Sequence, residues 1–103
     1  MATLFQQKVW DTCAKIPCGM VSTYAEIAMV IGKPKSSRAV GNSLNQNPFP
    51  KNKVPCHRVV LSSGKVGGYA HGTKKKIQLL EKEGVKIEKG KVVNLVRVLF
   101  QFQ

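Results

Sequence analysis

Apolar residues at Phe5, Val9, Cys13 and Ile16 recur at helical spacing, with Gln6, Gln7, Lys8, Asp11 and Lys15 largely on the other side. The stripe predicts an amphipathic helix from Phe5 to Ile16, ended by Pro17 to Gly19, and assigns Cys13 to the core. Cys18, beside Pro17 and Gly19, falls in a loop. Thr23 with Glu26 three positions on is a capping-box pattern for a second helix, Tyr24 to about Ile31, stopped by Gly32. After the Lys33-Pro34-Lys35 turn, Ser36-Ser37 are expected to cap a third helix, Arg38 to Asn45. Two short helices around a tight turn predict a helix-turn-helix.

Further on, Asn47-Pro48-Phe49-Pro50 reads as a rigid connector and Lys51 to Lys53 as an exposed basic turn. Val59-Val60-Leu61, Ser62-Ser63-Gly64 and Lys65-Val66 predict strand, turn and short strand, a wing-like hairpin. Gly67 to Gly72 is a loop whose glycines let the backbone lie close to a ligand. From Thr73 to Gly84, Ile77, Leu79 and Leu80 mark the inner side of a fourth helix, with Lys74, Lys75 and Lys76 as its solvated start. Those lysines, and Glu83 in the last turn, both oppose the helix dipole, which hints that charge here serves something other than the helix. Val85-Lys86-Ile87 and the apolar stretch Val92 to Phe102 suggest a short strand and a tail that pairs with it. The expected fold is mainly α with a short β-hairpin, a winged helix-turn-helix-like arrangement forming one domain over residues 1–103.

Lysine and arginine number 17 against 5 acidic residues, a net charge of +12. So basic a body attracts polyanions, and nucleic acid leads. A membrane partner is not expected, because no long apolar span and no strongly amphipathic basic helix stand out. Cys13, Cys18 and Cys56 are odd in number and lack paired metal-ligand spacing, and no charged-then-apolar leader precedes them; an intracellular, reducing setting and no metal are expected.

Candidate chemistry concentrates at Val54-Pro55-Cys56-His57-Arg58-Val59-Val60, a nucleophile beside a base where an apolar strand begins. A thiol needs a proton acceptor or positive charge nearby to react at neutral pH; His57 can accept and Arg58 can supply charge. Taken alone, a Cys-His pair is better read as a buried structural cysteine with ordinary neighbours, and it is the residues on both sides of the run that reverse that preference. The third helix is evenly open. Ser36, Ser37, Ala39, Gly41 and Ser43 leave one side nearly without bulk while Arg38 projects, which suits close approach to the minor groove of DNA or tight packing on neighbouring helices.

Together, Val54 to Val60, Ser37-Arg38-Ala39-Val40-Gly41, Asn47-Pro48, Ser62-Ser63-Gly64 and Gly67-Gly68-Tyr69 resemble the O6-alkylguanine-DNA alkyltransferases, over roughly Phe5 to Glu88. The resemblance implies stoichiometric, irreversible transfer of an alkyl group from O6-alkylguanine in double-stranded DNA, with no cofactor, by a monomer that binds the minor groove. It implies Cys56 as acceptor, His57 as its base through a bound water, Glu83 orienting His57, and Asn47 as a hinge bracing the cysteine loop. Because a stacked base cannot reach a buried sulfur, the lesion must be rotated out. By the same resemblance Arg38 fills the gap, and Tyr24 strains the phosphate and donates toward the guanine ring. Tyr69 walls the pocket, and the backbones of Val59 and Ala70 bond the base. Ser37, Ala39 and Gly41 approach the groove, and Lys33 and Lys35 contact phosphates.

The chain is expected to correspond to the DNA-binding and catalytic half alone, without the N-terminal domain that many members carry. The spacer from Asn47 to Cys56 is one residue longer than in the relatives considered, Ala70 stands where serine is common, and His71 replaces a frequent glycine. The bulk of His71 at the pocket mouth implies preference for methyl over benzyl adducts. A second reading is a non-enzymatic lesion binder, similar to the alkyltransferase-like proteins, which are as short but usually replace the acceptor cysteine. A plain winged-helix regulator has no use for Cys56, His57 and Glu83 together.

Overall fold

The computed structural model describes residues 2–102. Helix α1 runs Leu4–Cys13 and starts one residue earlier than its apolar stripe, because Thr3 and Gln6 cap each other reciprocally. Helix α2 is Tyr24–Val30, with the Thr23 hydroxyl accepting from the Glu26 amide at 3.0 Å. Its far end is a Schellman turn: Gly32, at φ +79°, donates to Met29 and Lys33 donates to Ala28. Helix α3, Ser37–Asn45, has Ser36 at its N-cap, but no side chain caps it. Trp10 of α1 is buried and donates through Nε1 to the Ser43 carbonyl at 2.8 Å, tying α1 to α3.

Strand β1 (Ser22–Thr23) pairs in parallel with β2 (Val59–Val60), Ser22 opposite Val59 and Thr23 opposite Val60. This short ladder divides the interior. Successive strand residues face opposite ways, so Val59 joins Val9, Trp10, Cys13, Ile27, Val40 and Leu44, whereas Val60 joins Val21, Val66, Leu80, Val85 and Val92. Cys56, His57 and Arg58 form a 3-10 turn immediately before β2 and therefore stand at the seam between the two cores.

Helix α4 spans Thr73–Lys82, and β3 (Ile87–Glu88) pairs antiparallel with β4 (Lys91–Val92). The short hairpin thus lies at residues 87–92 and not at 59–66, where the turn signals placed it. The Ser62 to Gly64 turn does close, with Leu61 donating to Lys65 at 2.9 Å. Val59–Val60 is taken by β1, however, while Lys65 bridges Lys91 and Val66 donates to Gly90 at 3.0 Å. Two-residue strands gain most from the partner that buries their side chains, and both better partners are distant in sequence. In the C-terminal stretch, α5 (Leu95–Val98) is a single helical turn, after which Phe100 donates to Val21 at 2.8 Å. Among the described residues no helix is long and apolar enough to cross a membrane.

Candidate active site

The 3-10 turn holds the Cys56 sulfur half-buried, facing a cavity of about 380 Å3. Pro55 fixes the turn's entry, and Arg58 donates to its carbonyl at 2.9 Å. Asn47, two residues beyond α3, folds back so that Nδ2 lies 3.1 Å from Cys56 Sγ and 3.4 Å from the Val54 carbonyl. Its Oδ1 accepts from the Phe49 amide at 3.0 Å, which orients the side-chain amide. Between Asn47 and Cys56 the loop turns back on itself, Lys53 and Val54 both donating to the Pro50 carbonyl. Cys56 Sγ also lies 3.4 Å from the Leu44 carbonyl. Cys13, fully buried on α1, contributes a further hydrogen bond. That bond is the largest influence lowering the Cys56 pKa; burial opposes it and Asn47 assists it. That bond and burial also push the Cys13 thiol well above its ordinary value.

His57 is 1 % exposed, and its Nε2 lies 2.9 Å from Glu83 Oε2. With the proton on Nε2 facing a carboxylate, Nδ1 carries the lone pair, and it has no hydrogen-bond partner among the described residues. Burial lowers the His57 pKa against the opposing pull of Glu83, so the ring is neutral and able to accept. Glu83 occupies the C-cap of α4, in a Schellman turn closed by Gly84 at φ +93° and by Val85 donating to Leu80. Arg58 grips both its oxygens, Nε to Oε1 at 2.9 Å and Nη2 to Oε2 at 2.7 Å, while Nη1 donates to the Ile16 carbonyl at 2.7 Å. Burial raises the Glu83 pKa, but Arg58 and His57 outweigh it and hold the carboxylate below its ordinary range. Arg58 therefore serves Glu83, and its charge is spent there and not directly on Cys56. This also accounts for an acid where the helix dipole disfavours one.

Tyr24, Ser37, Arg38 and Gly41 meet along a second hollow of about 370 Å3, closed on its far side by Gly67 and Gly68. A Cβ at Gly41 would stand 3.7 Å from the Tyr24 ring, and one at Gly67, where φ is +75°, 3.6 Å from it. Arg38 and Ala39 are exposed, as are Lys33 and Lys35 in the preceding turn. Tyr69 and Ala70 line the Cys56 cavity, and the Tyr69 ring meets His57 edge-on at 6.5 Å and His71 at 5.2 Å. Val59 is buried and its amide donates to the Cys56 carbonyl, so that amide is already engaged within the turn.

Lys76 departs from the expected solvated lysine run. Lys74 and Lys75 are exposed, but Lys76 is fully buried and its Nζ donates to the carbonyls of Val66 and Gly68 and to the Tyr24 hydroxyl. Burial lowers its pKa to about 8. The signal was present: Lys76 sits three and four residues before Leu79 and Leu80, on the inward side of α4. The influence of Cys13 on Cys56 had no such signal, since nothing in sequence joins α1 to a loop 43 residues later.

Among the described residues, no group of three or more His, Cys, Asp or Glu side chains could hold a metal ion. The methylated-DNA-protein-cysteine methyltransferase of Methanosarcina acetivorans is 51% identical over 82 residues, covering 80% of this chain and 52% of the relative. The chain thus spans about half the length of that relative. Mycobacterium tuberculosis OGT, solved in complex with DNA, superposes with a TM-score of 0.77 at 47% identity, over 81% of this chain and 51% of that one. S. pombe Atl1, solved in complex with damaged DNA containing O6-carboxymethylguanine, superposes with a TM-score of 0.82 at 35% identity, over 98% of this chain and 99% of that one. Residues 4–85 match the model described as the DNA-binding domain of 6-O-methylguanine DNA methyltransferase, and the chain belongs to that family.

Proposed function

We propose that this protein repairs DNA by direct reversal, moving the alkyl group of an O6-alkylguanine onto Cys56 in one irreversible step. The observation that carries the reading is the Cys56 sulfur facing an open cavity with the Asn47 amide 3.1 Å away. A thiolate attacks the alkyl carbon in line, a carbon–sulfur bond forms as the carbon–oxygen bond breaks, and guanine leaves with the thiol's proton. Hydrogen bonds from Asn47 and Cys13 stabilise the thiolate. His57, neutral and held by Glu83, takes the proton through a bound water, a role worth roughly 10²–10⁴ in rate. Burial, followed by negative charge at Cys56 and Cys13, raises the Tyr24 pKa, which keeps its hydroxyl protonated as a donor to the departing guanine. No cofactor enters this scheme.

Double-stranded DNA carrying the lesion is the partner, approached from the minor groove by a monomer. The low face of α3 made by Ser37, Ala39 and Gly41 admits the backbone, Arg38 enters the stack in place of the rotated base, and Lys33 and Lys35 hold phosphates. Tyr69 and the backbone of Ala70, which line the Cys56 cavity, wall the extrahelical base, whereas the buried Val59 does not reach it. The two relatives solved with DNA support this partner.

A second reading is a lesion binder that flags O6-alkylguanine for other repair machinery. Its support is the match to Atl1 along nearly the full length of both chains. Intact mass and peptide mapping after incubation with a duplex containing one O6-methylguanine separate the two. The expected result is one methyl group on Cys56 with guanine restored, and none on Cys56→Ala, which still binds the lesion. An unmodified wild-type protein bound tightly to the lesion would overturn transfer in favour of the binder.

A further inference from the structure

Lys76 is fully buried, and every hydrogen-bond partner of its Nζ among the described residues is a neutral oxygen. Nζ donates to the Val66 carbonyl, to the Gly68 carbonyl at 3.1 Å and to the Tyr24 hydroxyl at 3.3 Å. It also stands 5.5 Å from the centroid of the Tyr24 ring. Taking an ammonium out of water with no carboxylate to meet it is costly, and an apolar side chain on the inward side of α4 would avoid that cost. The three partners match the three protons of an ammonium, which has no lone pair. The Tyr24 oxygen must therefore accept from Lys76, and the phenolic proton is left to point elsewhere. Its acceptor among the described residues is the Gly68 carbonyl at 3.4 Å, longer than a good O–H···O bond. A neutral amine reverses this arrangement. Its two protons go to the carbonyls, its lone pair faces the hydroxyl, and Tyr24 becomes the donor to Lys76.

We propose, resting on Tyr24 as donor to the departing guanine, that Lys76 is a positioning residue for alkyl transfer: while charged, it occupies the Tyr24 oxygen and leaves the phenolic proton free for the rotated base. Loss of the Lys76 proton turns the hydroxyl inward and silences it, without ionising Tyr24. Val66 and Gly68 flank Gly67, where φ is +75°, so the same ammonium fixes the groove wall against the Tyr24 ring. Burial brings the Lys76 pKa down to about 8, opposed by negative charge at Cys56 and Cys13. The titratable groups around Lys76 are thus Tyr24 of α2, Cys13 of α1 and Cys56 of the 3-10 turn, while the segment from Val66 to Gly68 presents carbonyls. Tyr24 and Cys13 are both raised above their ordinary values and ionise later than Lys76. Cys56 and His57 are lowered, and both become more competent as pH rises. An alkaline loss of transfer near 8 therefore belongs to Lys76.

Second-order transfer rates from a duplex containing O6-methylguanine, measured across the alkaline range for wild type and Tyr24→Phe, report the groups of the free protein. Cys56, His57 and the phosphate-binding lysines are common to both proteins, so their titrations cancel in the ratio of wild-type to variant rates. That ratio is expected to fall about 10-fold from one pH unit below 8 to one unit above it. A constant ratio overturns the proposal, because Lys76 then acts on Cys56 by its charge or on the fold, and not through Tyr24. A second measurement needs no transfer. In Tyr69→Phe the sole tyrosine is Tyr24, and the intensity ratio of its ring doublet in the Raman spectrum distinguishes a hydroxyl that accepts from one that donates. The doublet should pass from accepting to donating through the same pH, and one that stays unchanged there overturns the proposal too. Absence of transfer at every pH would instead sink the parent reading; the Raman titration then decides the polarity of Tyr24 with the same criterion.

Discussion

The hollow over Cys56 and the groove along α3 are of similar size and opposite construction. Behind the first stand His57, Glu83 and Arg58, half-buried or buried and paired atom to atom within 3 Å. The second is walled by Gly41, Gly67 and Gly68, with Arg38 projecting into solvent beside the half-buried Tyr24. Removing charges from water is worthwhile only when each meets a partner, and a thiolate, which burial disfavours, needs hydrogen-bond donors beside it. A surface that must lie against a polyanion needs low relief and free cations. Lys76 links the two. It is buried behind Tyr24, 5.5 Å from the ring centroid, and donates to the hydroxyl that opens on the groove.

Glu83→Gln should separate the regions most sharply. The variant keeps an acceptor for His57 and Arg58 but loses the charge that favours His57 basicity, so transfer is expected to slow by about 100-fold. Lesion affinity should change little, because the groove is untouched. The same substitution removes a depressed carboxylate, whose stabilisation is present above the ordinary carboxylate range and is lost as pH falls through its lower native value. Denaturation midpoints of wild type and variant should therefore converge on acidification. Parallel loss of binding and transfer would mean that the regions do not work independently.

Arg38→Ala probes the other side. If Arg38 replaces the rotated base, duplex lesions should react about 10-fold more slowly, about 1.4 kcal/mol and thus part of the few kcal/mol that unstacking a base costs. The same lesion in a single strand needs no extraction and should react nearly as in wild type. Equal losses on both substrates would reduce Arg38 to a general DNA contact, as would a salt slope that fell by about one with no change in the duplex-to-strand ratio.

These regions were not equally legible in the sequence. Helices α1 to α3 announce themselves through the Phe5, Val9, Cys13 stripe and the Thr23 cap, because helical periodicity and capping are local. The Cys56 run was legible as chemistry through its neighbours and the family pattern. Its architecture was not, since Arg58 turns to Glu83 and Ile16, and Cys13 reaches Cys56 from α1, across long sequence separations. The β-hairpin was misplaced for a related reason: turn signals at Ser62 to Gly64 are local, whereas the claims of β1 on Val59–Val60 and of Gly90 on Val66 are not. Lys76 was obscured by its own neighbours, a buried cation hidden in a run whose other members are solvated.

The smallest expected effect comes from Cys13, which belongs to the core of α1 and yet bears on the acceptor. In Cys13→Val the Cys56 thiolate loses the hydrogen bond that most lowers its pKa. Thiolate fraction rises with pH, so the alkylation profile of Cys56 toward a small reagent such as iodoacetamide should move to higher pH. At neutral pH the rate should fall about 3- to 10-fold, a shift of up to about one pH unit. The two proteins should converge once both are fully ionised. Peptide-resolved mass spectrometry is needed, because Cys18 is exposed and reacts in both. Cys13→Ser restores a donor and should bring the midpoint back toward wild type, although the shorter oxygen sits farther from the sulfur. If Val and Ser shift the profile alike, packing of α1 against the cysteine loop is responsible and the thiol's proton is not. If neither moves it, Asn47 holds the thiolate without help from α1.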